Sequence, residues 1–441
     1  MERANSKNAN NLCGIAMKDP FYKNVLKLFT GTIGSHIFWM LSMLTVARLY
    51  TPEYFGEGQL FIAAASIVSI IATGRYEAAI VVPRYRFQAM SLFFFSAVLS
   101  LLGAVLFFLL WLGFSDMLAG FTKIPTGSSM LLPLYTLELC IYVLCHAWLV
   151  RTKQYTAVVK GLVLFPACYL VLCTLFHFVW LPVHKLILAI MLARGAETLY
   201  YGYFMRKEIR DYLHRASWGH IWKYGKGYVD FPKYMLVGSF IGSAETNIIP
   251  FFITAFWGVG TTGYYSMATQ CLAAPASLIA KSVGDVFRQE AGRLYGIYRE
   301  CTAFYQKNLR LCIAYSAVIC ICAYVAVPTF VPLFLGEKWK IAGHYVQLML
   351  PMTFMTLISS TMSIIYIVAR RQGTYLGIQM ANFLSSTIGI GVVGWLGETI
   401  ETALTVWGVL IIIVAGVSIY GGKKIATGNI GQHDDRTSAG I

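Results

Sequence analysis

The sequence predicts an all-α polytopic membrane protein of about twelve transmembrane helices in two six-helix lobes. Three observations predict it. First, 57% of the 441 residues are hydrophobic and only 12% are charged, against about 25% charged in soluble domains. The mean hydropathy of +0.63 is more apolar surface than a soluble core can hide, which excludes a soluble enzyme, a disordered chain and a disulfide scaffold. Second, the apolar residues fall into runs of the length that crosses a bilayer, about 20 residues. Third, Lys and Arg alternate between rich and poor segments along those runs.

Residues 1–24 are polar, with Lys18, Asp19 and Pro20 where a signal peptide needs an apolar core, so they read as a cytoplasmic N-terminal segment. The N-lobe, 25–206, holds spans at roughly 25–48, 59–82, 88–113, 129–150, 157–180 and 184–205. A hydrophilic linker follows at 207–231; Tyr212, Trp218, Trp222, Tyr224 and Tyr228, with interleaved Lys and Arg, suggest a helix lying on the membrane surface. The C-lobe, 232–422, holds spans at roughly 232–257, 262–286, 306–329, 343–369, 373–396 and 400–422, and 423–441 is a cytoplasmic tail. The first, second, seventh and eighth spans are rich in Gly, Ser, Thr and charge, and so read as facing protein or water rather than lipid.

Orientation follows from Lys and Arg, which stay on the cytoplasmic side. With the N-terminus inside, outer segments hold only Arg48, Lys123, Lys185, Lys338 and Lys340, two more lie within spans, and the remaining 28 of 35 are inside. The 206–233 and 281–310 segments are the richest. The net charge of +15 is therefore topological and implies no nucleic acid partner. An even span count puts both termini inside. No outer segment is long enough for a catalytic domain, and no GxxxxGK[ST] sequence occurs, which argues against an enzyme and against direct ATP drive. The ten cysteines form no CxxC pair and no zinc spacing; no metal and no cofactor is expected.

Residues 47–71 and 254–278 share a pattern: a span, a short Gly-bearing turn, then a span rich in small residues. An offset of 207 places Gly56 on Gly263. Two halves of six spans then form a parallel repeat about an axis normal to the membrane, with a cavity near the midplane at their interface.

Five segments in order resemble a known family: ARLYTPEYFG at 47–56, ATGRYEAAIVVP at 72–83, YVDFPKY at 228–234, GYYSMATQCLAAPASLIAKSVGDVFRQEA at 263–291 and PLFLGEKWKIAGHYVQLMLPM at 332–352. Over most of its length the chain is similar to the Wzx-type oligosaccharide flippases, which share a superfamily with the multidrug and toxic compound extrusion (MATE) transporters. The resemblance implies a MATE-like fold. It implies translocation of a polyprenyl-diphosphate-linked oligosaccharide from the inner to the outer leaflet of the bacterial cytoplasmic membrane, for O-antigen or capsule, by alternating access. Expected partners are that lipid-linked sugar, membrane lipids, H⁺ or Na⁺, and a polysaccharide polymerase. One departure is the RYRFQA segment at 84–89, basic where the family's is acidic. The alternative reading is a cation-coupled small-molecule exporter on the same fold.

A diphosphate asks for cations, sugars for polar groups and aromatic faces. Arg75, Tyr76 and Glu77 follow Gly74 in the second expected span. Positions two apart point to nearly opposite sides of a helix, so either the helix breaks at Gly74 or the two charges have separate partners; alternatively the helix ends there at the inner surface. Arg194 and Glu197, spaced i, i+3, form a pair on one face, for substrate or for helix packing. Lys281 and Asp285, four apart, form a gate pair or an anchoring surface. Glu138 and Glu245 lack a local opposite charge, and an unpaired intramembrane carboxylate is a candidate carrier of H⁺ or Na⁺. Asp230 before Phe231-Pro232 marks gating or simply a helix cap. His36, His146 and His177 stand alone in apolar runs and read as packing residues.

Overall fold

The computed structural model describes residues 20–114, 126–181, 183–215 and 217–428. Among these residues every regular element is a helix. By contact the chain divides into two compact units: 1–49, 64–119 and 124–237 in the first, and 50–63, 120–123 and 238–441 in the second.

The first unit begins with α1 (Pro20–Leu49) and takes in the C-terminal part of α2 (Pro52–Thr73), from Ala64 on. Helix α2 ends sooner than the expected 59–82 span. Gly74 (φ 56°) and Arg75 (φ 60°) are both left-handed, and two such residues in succession cannot continue a right-handed helix. The chain turns through the single-turn α3 (Tyr76–Ala79) into α4 (Arg86–Gly113). After the short α5 (Thr126–Ser129) come α6 (Leu131–Arg151), α7 (Tyr155–Phe178) and α8 (Lys185–Leu213). Gly31 of α1 lies against Val159 of α7, and Gly161 of α7 against the Tyr201 ring, with no room for a Cβ at either glycine. Such small-residue contacts give helices close approach where lipid supplies no hydrophobic drive.

Within the expected surface linker, α9 (Trp218–Gly227) has a docked and a free side. Gly225 meets the Phe95 ring, and His220 and Tyr224 pack on Phe87. Trp218 and Trp222 remain largely exposed, as an interfacial helix requires.

The chain passes into the second unit at Gly238, within the seventh expected span, which breaks into pieces. A π-turn (Phe231–Met235) leads to α10 (Leu236–Asn247) and α11 (Ile249–Trp257), with Pro250 in the first turn of α11. Helix α12 (Val259–Tyr298) has 40 residues, a length of about 60 Å, twice what a ~30 Å hydrocarbon layer needs. Then follow α13 (Thr302–Phe330), a π-turn and a 3₁₀ turn, α14 (Lys340–Met362), the short α15 (Ile364–Val368), α16 (Gln372–Trp395) and α17 (Ile400–Ala426).

Every expected span overlaps a helical segment, with the second ending early at Thr73 and the seventh broken into pieces. Nine such segments, among the described residues, are long and apolar enough to cross a membrane; α1, α8 and α12 fall short, and α8 carries charge along most of its length. Leu102 and Leu106 on α4, Ile321 and Val325 on α13, and Ile413 and Val417 on α17 are exposed apolar stripes at helical spacing, the signature of faces turned to hydrocarbon. The chain is a multi-pass membrane protein.

The repeat-related glycines meet inside the second unit. A Cβ on Gly56 would lie 3.0 Å from Gly263 N and against Val259 O, and a Cβ on Gly263 would strike Pro52 O. Around this contact Lys338 donates to Tyr50 O (2.7 Å), and the Phe55 and Trp339 rings meet edge to face at 5.7 Å.

Candidate functional site

Among the described residues, polar side chains buried among apolar helices gather in three places, two in the first unit and one in the second. The first is centred on α8. Arg194 forms an ion pair with one carboxylate oxygen of Glu197, one helical turn on. Tyr201 Oη lies 3.0 Å from the other oxygen and 3.1 Å from Val158 O. The Arg194 guanidinium sits between aromatic faces, 4.2 Å from the Tyr142 ring centre and 3.6 Å from that of Phe165; when desolvated, such contacts are worth about 2 kcal/mol. Glu138 of α6 reaches the same place, because α8 has a glycine there: its Oε1 lies 2.9 Å from where a Cβ of residue 195 would stand. Arg194, Glu197 and Glu138 are thus one cluster, with one cation for two carboxylates. Glu197 is fully buried with both oxygens engaged, so it holds Arg194 rather than offering itself to a ligand. The buried Nε of Arg194 has no hydrogen-bond partner among the described residues.

The second place is the turn after α2. The break at Gly74–Arg75 brings Arg75 Nη1 within 2.8 Å of Glu77 Oε1, a pairing that a continuous helix forbids. Of the sequence alternatives, separate partners fail; the helix breaks at Gly74 and α2 ends there, and Arg75 is not a solitary cation inside a span but a paired one beyond the end of α2. Arg75 Nε and Glu77 Oε2 are buried without a partner among the described residues. Tyr76 is structural here: its hydroxyl donates to Gly225 O (3.1 Å) and its ring meets Phe95 at 5.0 Å, tying the turn to α9. Arg151, at the end of α6, donates to Ile80 O (2.9 Å), Val81 O (3.0 Å) and Pro83 O. One guanidinium fork thereby satisfies carbonyls that the broken helix leaves open.

The third place is a cavity of about 320 Å³ in the second unit. Glu245 of α10 lies on it, opposite Thr356, Ser359 and Ser360 of α14, with Tyr375, Gln379 and Asn382 of α16 and Trp407 of α17. Tyr375, Gln379 and Asn382 share one face of α16 at i, i+4, i+7, as do Thr356, Ser359 and Ser363 at i, i+3, i+7 near the end of α14. Asp230 is exposed and makes no side-chain cap bond, so the cap anticipated for it is absent: its own φ of −65° and ψ of −26° are helical, which turns the carboxylate away from the first-turn amides. The side chains of Lys281 and Asp285 lie outside the described residues.

Several of these residues escape a sequence reading. Arg151 stood at a span end like any topological cation, and the aromatic cage of Arg194 comes from α6 and α7, helices other than its own. The cavity left a weak signal: the Ser/Thr-rich stretch at 356–363 and the amides at 379 and 382 interrupt otherwise apolar spans.

The comparisons with known proteins agree with this architecture. Among solved structures, the lipid II flippase MurJ in an inward closed conformation matches with a TM-score of 0.67 at 14% identity, over 90% of each chain. An inward-facing multidrug resistance MATE family transporter of the MOP superfamily matches with a TM-score of 0.61 at 15% identity, over 90% of this chain and 94% of its own. A MOP superfamily transporter from Pyrococcus furiosus matches with a TM-score of 0.62 at 13% identity, over 92% of this chain and 96% of its own. At such identities the likeness shows the fold: MATE-like, as the resemblance implies. No curated protein matches the sequence. Residues 45–343, more than half of the chain, match the family model described as polysaccharide biosynthesis protein, and the chain belongs to that family.

Proposed function

We propose that the protein flips a polyprenyl-diphosphate-linked oligosaccharide from the inner to the outer leaflet of the bacterial cytoplasmic membrane, for assembly of a surface polysaccharide such as O-antigen or capsule. One observation carries this reading: a family of polysaccharide biosynthesis has, in this chain, the fold of membrane transporters and flippases. A biosynthetic step performed by a transporter is a translocation step. The cargo carries its sugars and diphosphate outside the hydrocarbon and its tail within it, so the barrier is the passage of the polar part across the bilayer. Arg75 and Arg194 supply cations along that passage, each held by a neighbouring carboxylate, and Arg suits a diphosphate because its planar fork bonds two oxygens at once. Both arginines keep a free Nε–H among the described residues. Glu138 and Glu245 are the carboxylates available to an H⁺ or Na⁺ gradient. Both termini are cytoplasmic, and a polysaccharide polymerase consumes the product on the outer face.

The test is deletion of the gene in its own host, with lipid-linked saccharide and surface glycan measured side by side. The reading expects lipid-linked units to accumulate while surface glycan is lost, both restored by the intact gene. Unchanged surface glycan together with increased sensitivity to cationic drugs would overturn it in favour of a small-molecule exporter.

A further inference from the structure

The cavity of the second unit has a wall chemistry that the diphosphate does not explain. Glu245 is the ionisable group among its described carboxylates and amines, and a fixed carboxylate repels a diphosphate. The other polar groups are hydroxyls and primary amides. The side chains of Glu245, Ser359, Tyr375, Gln379 and Asn382 all border the cavity, yet none makes a hydrogen bond among the described residues. Polar groups placed inside a membrane protein are ordinarily paired, since each one left unpaired there is costly. Five gathered on one cavity are therefore groups with bonds to give. Trp407 completes the set: its indole N–H is engaged by Ser386 Oγ (3.0 Å), so the ring contributes only apolar surface to the wall.

We propose that this cavity is a glycan subsite, holding one pyranose ring of the cargo. The proposal rests on the flippase reading above and adds where the sugar is held. A pyranose presents a ring of hydroxyls, each both donor and acceptor, around two apolar faces. Carboxamides match such hydroxyls with a donor and an acceptor from one group. Glu245 accepts from two adjacent hydroxyls, and an indole or phenol ring packs on the C–H face. The cavity volume of about 320 Å³ is within the range of about 300–1,000 Å³ for small-ligand sites. A single monovalent cation at Glu245 would leave most of that volume and the amides of α16 without a role.

The experiment uses the full chain in nanodiscs, with free glucose, galactose and N-acetylglucosamine as probes and binding read by saturation-transfer NMR. The expected result is a signal for at least one of these pyranoses that falls about tenfold in the Gln379→Ala/Asn382→Ala double variant, as loss of two hydrogen bonds predicts. The same variant should keep its melting temperature and its labelling topology, which shows that it is folded. An equal signal in wild type and variant would overturn the subsite, as would no pyranose signal with wild type. A sodium-dependent rise in melting temperature that Glu245→Gln removes, without any pyranose signal, would make the cavity a cation site and also overturn it. The flippase reading is scored separately, by the surface glycan of cells carrying the same wild-type gene: glycan restored without pyranose binding rejects the subsite alone, and glycan never dependent on the gene rejects the reading beneath it.

Discussion

Arg194 and Glu197 separate structure from transport more sharply than any other pair. Removing one partner of a buried ion pair leaves an uncompensated charge, at a cost of about 3–5 kcal/mol, while replacing both by apolar groups of similar volume is often neutral. Arg194→Met or Glu197→Leu alone should therefore lower the melting temperature in detergent strongly, and the double variant should recover most of it. If Arg194 also serves the cargo, that recovered variant should still fail to export glycan; full export would confine the pair to helix packing. Arg75 is 29% exposed against a Glu77 at 8%. Removing Arg75 alone leaves the buried Glu77 carboxylate unpaired, so membrane abundance is measured beside glycan, with Arg75→Ala/Glu77→Gln as the variant that removes both charges. We expect Arg75→Ala to lose most surface glycan and Arg75→Lys to keep part, because charge survives without the bidentate fork. Normal glycan in a well-expressed Arg75→Ala strain would remove Arg75 from the mechanism.

At the scale of the element, the turn between α2 and α4 depends on Arg151 holding three carbonyls. Charge-assisted hydrogen bonds contribute about 1.5–3 kcal/mol each at most, so Arg151→Met should lower the melting temperature by several degrees and Arg151→Lys should recover only a fraction. The contact between α2 and α12 gives a reversal of sign. Gly→Ala within a helix ordinarily stabilises by about 0.5–1 kcal/mol. Gly296, with nothing within 4 Å of its would-be Cβ, should follow that rule. At position 263 the added methyl meets backbone, and Gly263→Ala should destabilise by about 1–3 kcal/mol instead. Comparing the two melting curves checks it.

These elements also show what a sequence carries. Span positions were legible because each apolar run had to be long enough for the bilayer, and the helices answer to them. The end of α2 was legible only as one alternative at Gly74, since Ala78–Val82 continue the apolar run past it and the backbone dihedrals decide for the break. That break is what pairs Arg75 with Glu77 across two residues. The pairing of Arg194 with Glu197 was legible because it is local to one helix. Its aromatic cage and the cavity around Glu245 were not, because each is assembled from separate helices.

For the whole molecule, the orientation we propose, with both termini cytoplasmic, rests on the Lys and Arg bias. Starting from a cysteine-free protein, a cysteine at position 337 should label with an impermeant thiol reagent in intact cells and a cysteine at 215 should not; the reverse pattern would invert the orientation. The central claim, that the chain moves a lipid-linked saccharide between leaflets, is tested most directly with the purified protein in liposomes loaded with a polyprenyl-diphosphate saccharide, under an imposed H⁺ or Na⁺ gradient. An impermeant sugar-modifying enzyme added outside reports how much substrate reaches the outer leaflet. The account predicts that the modified share rises beyond the initial outer-leaflet fraction toward all of the substrate, and does so far more slowly with Arg75→Ala. A modified share that stays at the outer-leaflet fraction, with protein and without it alike, would contradict the account.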